Sequence, residues 1–110
     1  MKMYVTVAIP FDNKGKSNSL FGRVISINGD ITDAVFIGMK FKDTVLNEYK
    51  VKTGDMHAEA IIGQMTPIMF GESFIFTLPD NTGYEIDIYE YVMPENNTPP
   101  QPIPVNFVKS

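Results

Sequence analysis

A chain of 110 residues that is 44% hydrophobic and 20% charged, with formal net charge −4 and neither Cys nor Trp, has room for a single hydrophobic core. A two-domain enzyme is excluded, and the lack of Cys removes disulfides, thiolate zinc sites, iron–sulfur clusters and a cysteine nucleophile. The sole histidine, His57, leaves little for metal or triad chemistry.

The acidic total hides an asymmetry. Residues 1–52 carry eight basic side chains against five acidic ones, whereas residues 53–110 carry only Lys109 against eight acids. A negative sum disfavours non-specific nucleic-acid or anionic-membrane binding, which needs clustered positive charge. The apolar run Val5-Thr6-Val7-Ala8-Ile9 is too short for a signal segment or a membrane span. A cytoplasmic location and no membrane partner are therefore expected.

Tyr4 to Ile9 reads as a first strand ending at Pro10. Turn chemistry over 12–19 leads to a second strand, Leu20 to Ile27, that breaks at Asn28-Gly29-Asp30. Asn-Gly between alternating apolar residues is a strong hairpin signal, so a return strand is expected over Ile31 to Phe41, with a bulge at Gly38. From Lys42 to Gln64 the pattern fits helix or strand. Asp43-Thr44 could cap a short helix stopped by Gly54, and Asp55 to Met65 reads as a second helix closed by Pro67. The clearest element is a hairpin of Ser73 to Leu78 and Tyr84 to Val92 around Pro79-Asp80-Asn81-Thr82-Gly83. On its return strand Tyr84, Ile86, Ile88, Glu90 and Val92 share one side, while Glu85, Asp87, Tyr89 and Tyr91 share the other.

Beyond Met93 prolines dominate. Residues 1–93 are thus expected to form a single β-rich domain, and residues 94–110 a polyproline-like extension ending in a candidate edge strand around Val105 to Val108. The expected fold is mainly β (α+β): a small antiparallel β-roll or barrel of about six or seven strands with one or two short helices, by the spacing of the turn signals. Its core is expected from Val5, Val7, Ile25, Ile27, Val35, Ile37, Ile61, Ile62, Phe74, Phe76, Ile86 and Ile88.

Several motifs invite chemistry. Gly15-Lys16-Ser17 echoes a phosphate loop but has Pro10 where that loop needs its first glycine, so a solvated turn is expected. Asp55, His57 and Glu59 would converge as metal ligands only on a strand. Acid–base catalysis could draw a carboxylate pair from Glu72, Glu85, Asp87 and Glu90, but alternating acids on a hairpin read more simply as its wet face. Ala8-Ile9-Pro10, Asp12 and Phe21-Gly22-Arg23 resemble the opening of the nitrogenase iron–molybdenum cofactor carrier family. That family has a histidine where this chain has Leu20, and no function is carried over.

The expected function is a non-enzymatic binding or assembly module without cofactor or metal. It would recognise a protein partner or a second copy through a sheet edge, through the face bearing Tyr89 and Tyr91, or through Phe107 and Val108 of the tail. The alternative is a single-strand nucleic-acid binder using Lys14, Lys16, Arg23, Lys40 and Lys42 beside exposed aromatic rings.

Overall fold

A computed structural model describes residues 1–93. Its strands are β1 (Lys2–Phe11), β2 (Arg23–Asn28), β3 (Ile61–Ile62), β4 (Thr66–Ile68), β5 (Gly71–Thr77) and β6 (Gly83–Val92). One helix, α1, spans Ile31–Thr53, and a short 3-10 turn covers Ser19–Phe21. All strand pairs are antiparallel, in the order β2-β1-β6-β5-β3, with β4 also paired to β5. The mainly antiparallel α+β class is as expected. The expected barrel is not formed by the described strands, because the sheet stays open between β2 at one edge and β3 with β4 at the other.

The expected return strand over Ile31 to Phe41 is instead the first half of α1. Asp30 caps it: its side chain accepts from the Thr32 amide at 2.7 Å and its carbonyl from the Ala34 amide at 3.1 Å. Asn28-Gly29-Asp30 is therefore a strand-to-helix connection. Lys50 and Lys52 sit in the last turn, where cations complement the helix dipole, and Gly54 stops the helix with φ 79 while donating to the Lys50 carbonyl at 2.8 Å. Asp43-Thr44 lies inside this one long helix. The second expected helix, Asp55 to Met65, is a loop followed by β3, whose Ile61 and Ile62 pair with Thr77 and Phe76.

α1 covers one sheet face. Ala34 and Gly38 are buried, and a Cβ at Gly38 would lie 3.2 Å from both Ile86 Cγ2 and Phe74 Cζ. Gly38 thus marks close helix–sheet contact rather than a bulge. The core cluster joins Tyr4, Ala8, Ala34, Phe74, Phe76, Ile86 and Ile88, with Ile25, Val35, Met39, Phe41, Val45 and Tyr84 packed against it. Phe41 meets Tyr84 edge-to-face at 4.9 Å, and Arg23 stands 5.4 Å over the Phe41 ring.

The expected core was right for Phe74, Phe76, Ile86 and Ile88, and in part for Ile25 and Val35. It was wrong for β1, where Tyr4, Thr6 and Ala8 are the buried residues and Val5 and Val7 are half-buried on the opposite face. It was wrong also for Ile27 and Ile61, which are 60% and 74% exposed. In β1 the helix-facing positions are thus the alternate set Tyr4, Thr6 and Ala8, one residue out of step with the expected Val5 and Val7.

Met69 and Phe70 form the two-residue turn between β4 and β5, and Phe70 holds φ 66. A side chain in that left-handed region costs about 1–2 kcal/mol, and Phe70 is mostly exposed, so packing recovers little of it. Phe70→Gly should therefore raise stability by roughly 0.5–1 kcal/mol after the greater backbone entropy of glycine is subtracted. Urea unfolding at constant pH measures this, and a lower midpoint in the variant refutes it.

Candidate functional site

Register fixes what lies on the sheet face that no described element covers. Residues opposite one another on antiparallel neighbours share a face. One row reads Ile27, Val5, Tyr89 and Gly71, and the next Val24, Val7, Asp87, Ser73 and Thr66. Ile9, Glu85 and Ile75 form a third row, and Met3 opposes Tyr91 beyond the first. This face opposite α1 is mostly apolar, and Val24, Ile75 and Tyr91 on it are 57%, 44% and 53% exposed.

Asp87 sits in the middle of that face and is only 3% exposed. The Tyr89 hydroxyl donates to its Oδ2 at 2.9 Å, whereas Oδ1 is buried without a hydrogen-bond partner among the described residues. The hydrogen bond between Glu85 and Asp87, reinforced by burial and by the charge on Asp87, pushes the Glu85 carboxyl up to about 7. A carboxyl that keeps its proton up to about neutral pH can donate to a neighbouring carboxylate, which is the physical sense of this upward shift. Burial, then the bond to Asp87, pushes the Tyr89 hydroxyl up to about 12. Glu85 and Asp87 are thus electrostatically linked acids within a mostly apolar surface.

Glu85 binds its proton more tightly folded than unfolded, where its ordinary value is 4.5. Its contribution to stability is complete below that value and is lost as pH rises through about 7. Glu85→Gln keeps a donor for Asp87 and cannot ionise. The stability of this variant relative to the parent chain should therefore rise from pH 5 to pH 8, which parallel urea titrations detect. A pH-independent difference would refute the shared proton.

The other acids stand apart. Glu90 opposes Tyr4 and Glu72 opposes Ile88, which places both on the helix-covered face. The pair that does converge, Glu85 and Asp87, sits two residues apart on one face of β6 and does not face itself across a cleft. Asp55 and His57 lie in the loop after α1, where the Asp55 side chain accepts from the His57 amide at 3.2 Å. Among the described residues no group of three or more acids and histidines could hold a metal ion.

The Gly15-Lys16-Ser17 segment is a turn organised by Asp12, whose Oδ1 accepts from the Lys14 and Lys16 amides, each at 2.9 Å. Those bonds, that to Lys16 first, hold the Asp12 carboxyl below its ordinary range. The amides a phosphate would need are thus already occupied.

The five basic residues of the nucleic-acid alternative fall in two places, the 14–16 turn and the neighbourhood of Phe41. Lys14 and Lys16 are on this turn, Arg23 covers Phe41, Lys40 stands 5.6 Å over Phe36, and Lys42 pairs with Asp43 at 2.7 Å. Of the expected protein-binding residues, Tyr89 and Tyr91 fall together on the uncovered face. Phe107 and Val108, and the tail with its expected edge strand, lie outside the described residues.

Sequence reading identified the tyrosine face but missed its apolar partners Met3, Val5, Val7, Val24 and Ile27. The available signal was the number of apolar residues at alternate positions of β1, more than a single buried face requires. No protein-family model, curated protein or solved structure matches the chain. No helix among the described residues is long and apolar enough to cross a membrane.

Proposed function

We propose that the chain is a non-enzymatic binding or assembly module that recognises protein through the sheet face bearing Tyr89 and Tyr91, in a cytoplasmic setting. The observation that supports it is that face, covered by no described element: β2, β5 and β6 turn Val24, Ile27, Ile75 and Tyr91 outward on the side opposite α1. A mostly apolar surface bearing tyrosines is a composition that protein interfaces favour, since aromatic rings supply contact area at small entropic cost.

The sheet edges are poorer candidates. β2 has six residues and an irregular register between Thr6 and Val7 of its partner, and β3 and β4 are interrupted between Ile62 and Thr66. Short, broken edges are poor templates for an added strand.

The test combines sedimentation of the full chain with affinity capture from its host, comparing the parent with a Val24→Asp, Tyr91→Glu variant. Both substituted side chains are more than half exposed, so the fold should survive. The reading expects self-association or a specific protein complex that resists salt and disappears in the variant. Complexes that ignore the two substitutions, or a salt-sensitive complex with oligonucleotide that depends on Lys14 and Lys16, would overturn it.

A further inference from the structure

We propose that the chain's own residues 103–109 dock in cis on the uncovered sheet face, with Ile103, Val105 and Phe107 over its apolar rows and Lys109 at the Glu85–Asp87 pair. This inference rests on the preceding reading of the face as a recognition surface and adds that the chain carries the segment that covers it.

Two independent patterns support it. In an extended segment, alternate side chains share a side, so Ile103, Val105, Phe107 and Lys109 project together, three apolar groups followed by a cation. The face offers the complementary series: apolar Met3, Val5 and Val7 along β1, then the acidic pair opposite Val7 and Ile9 on β6. Glu85 and Asp87 form no ion pair among the described residues, and Lys109 is the only basic residue after Lys52. With one proton shared, the pair still carries a negative charge for the ammonium group, and half-buried Glu85 is its accessible member.

Reach and backbone chemistry agree. β6 is the central strand and delivers the chain at Met93, beside the Met3–Tyr91 end of the face. Asp87 lies roughly 20 Å back along the strand from that point, at about 3.3 Å per residue. The nine residues between Met93 and Ile103 include Asn96-Asn97, suited to a reversal, and extend at about 3.1 Å per residue, so they can turn and lay Ile103 near Tyr91. Pro102 and Pro104 carry no amide proton, which removes donors that a segment lying on a sheet face could not pair. A short tether gives an effective concentration of order millimolar, which favours closure within one chain over exchange between chains at micromolar concentration. A protein partner must then displace the segment.

The experiment is NMR of the isotopically labelled full chain at two concentrations, with Phe107→Ser and Lys109→Glu variants. The expected result is ordered amides over 103–109, concentration-independent cross-peaks from the Phe107 ring to the Val5 and Val7 methyls in a monomer, and loss of both in Phe107→Ser. Lys109→Glu should diminish the same cross-peaks. Random-coil amides without cross-peaks, cross-peaks that arise only between differently labelled molecules, or contacts to the β2 edge would each overturn the inference. Should the tail prove free while the Val24→Asp, Tyr91→Glu variant still abolishes a protein complex, the inference alone fails. Should that variant change nothing, the recognition reading fails.

Discussion

Gly83→Ala is expected to be among the most damaging single-methyl additions in the domain, lowering stability by about 3 kcal/mol or more. Gly83 opens β6 and is paired on both sides, with Phe11 of β1 and Thr77 of β5. A Cβ there would lie 2.0 Å from the Phe76 carbonyl oxygen and 2.6 Å from Phe11 Cζ. The ring could swing aside, but the carbonyl belongs to the backbone of the hairpin partner, so relief requires the two strands to separate where the hairpin closes. Phe76 is fully buried in the core, and displacing its backbone disturbs its contact with Tyr84 at 5.7 Å and with Phe41 at 6.4 Å. Chemical denaturation with circular dichroism and fluorescence probes reads the effect. A loss under about 1 kcal/mol, within the ordinary range for point changes, would show that the β5–β6 junction can open without cost to the core.

The β5–β6 hairpin was legible because its signals are local. Ser73 to Leu78 and Tyr84 to Val92 alternate cleanly, and a turn cluster separates them, so period and turn chemistry agree. Ile31 to Phe41 misled because Asp33, Val35, Ile37, Met39 and Phe41 have a period of two, while the helical repeat within that stretch is carried by Ala34 and Gly38, small residues that contribute little hydrophobic signal. Asn28-Gly29 pointed the same wrong way. The cap that decides the matter is Asp30, whose carboxylate holds the Thr32 amide. Ile61 and Ile62 fitted a helix because a two-residue strand is too short to have a period, and only pairing with Thr77 and Phe76 makes them extended.

The site was legible in half. Period two on β6 correctly separated Glu85, Asp87, Tyr89 and Tyr91 from the core side. It could not show that the acidic side is apolar across its neighbours, because that depends on registers with β1 and β5, which are non-local. The water-facing skin expected from the alternating acids is in fact a surface in which one acid, Asp87, is buried and another, Glu85, is half-buried.

Asp87→Val should raise the stability of the isolated chain by about 1–3 kcal/mol, an unusual direction for a buried residue. The carboxylate is almost entirely removed from water, and one of its oxygens has no hydrogen-bond partner among the described residues. Its neighbours in the row are Val7 and Ser73, and valine has high strand propensity. Removing the acid leaves few groups stranded, since Tyr89 and Glu85 are partly exposed and can turn to water. The gain should be larger at pH 8 than at pH 5, because Glu85 of the parent chain loses its proton over that interval and then repels Asp87. Replacing the acid at the same time erases the one charged feature at the centre of the apolar face, so whatever docks there should lose selectivity for a cationic group. A chain made more stable by removing a buried charge, yet impaired in recognition, is the trade expected of a residue that serves a surface rather than the core. Loss of stability in Asp87→Val, measured by urea unfolding at both pH values, would instead make the Asp87–Tyr89 hydrogen bond a structural tie and leave the acidic pair without that role.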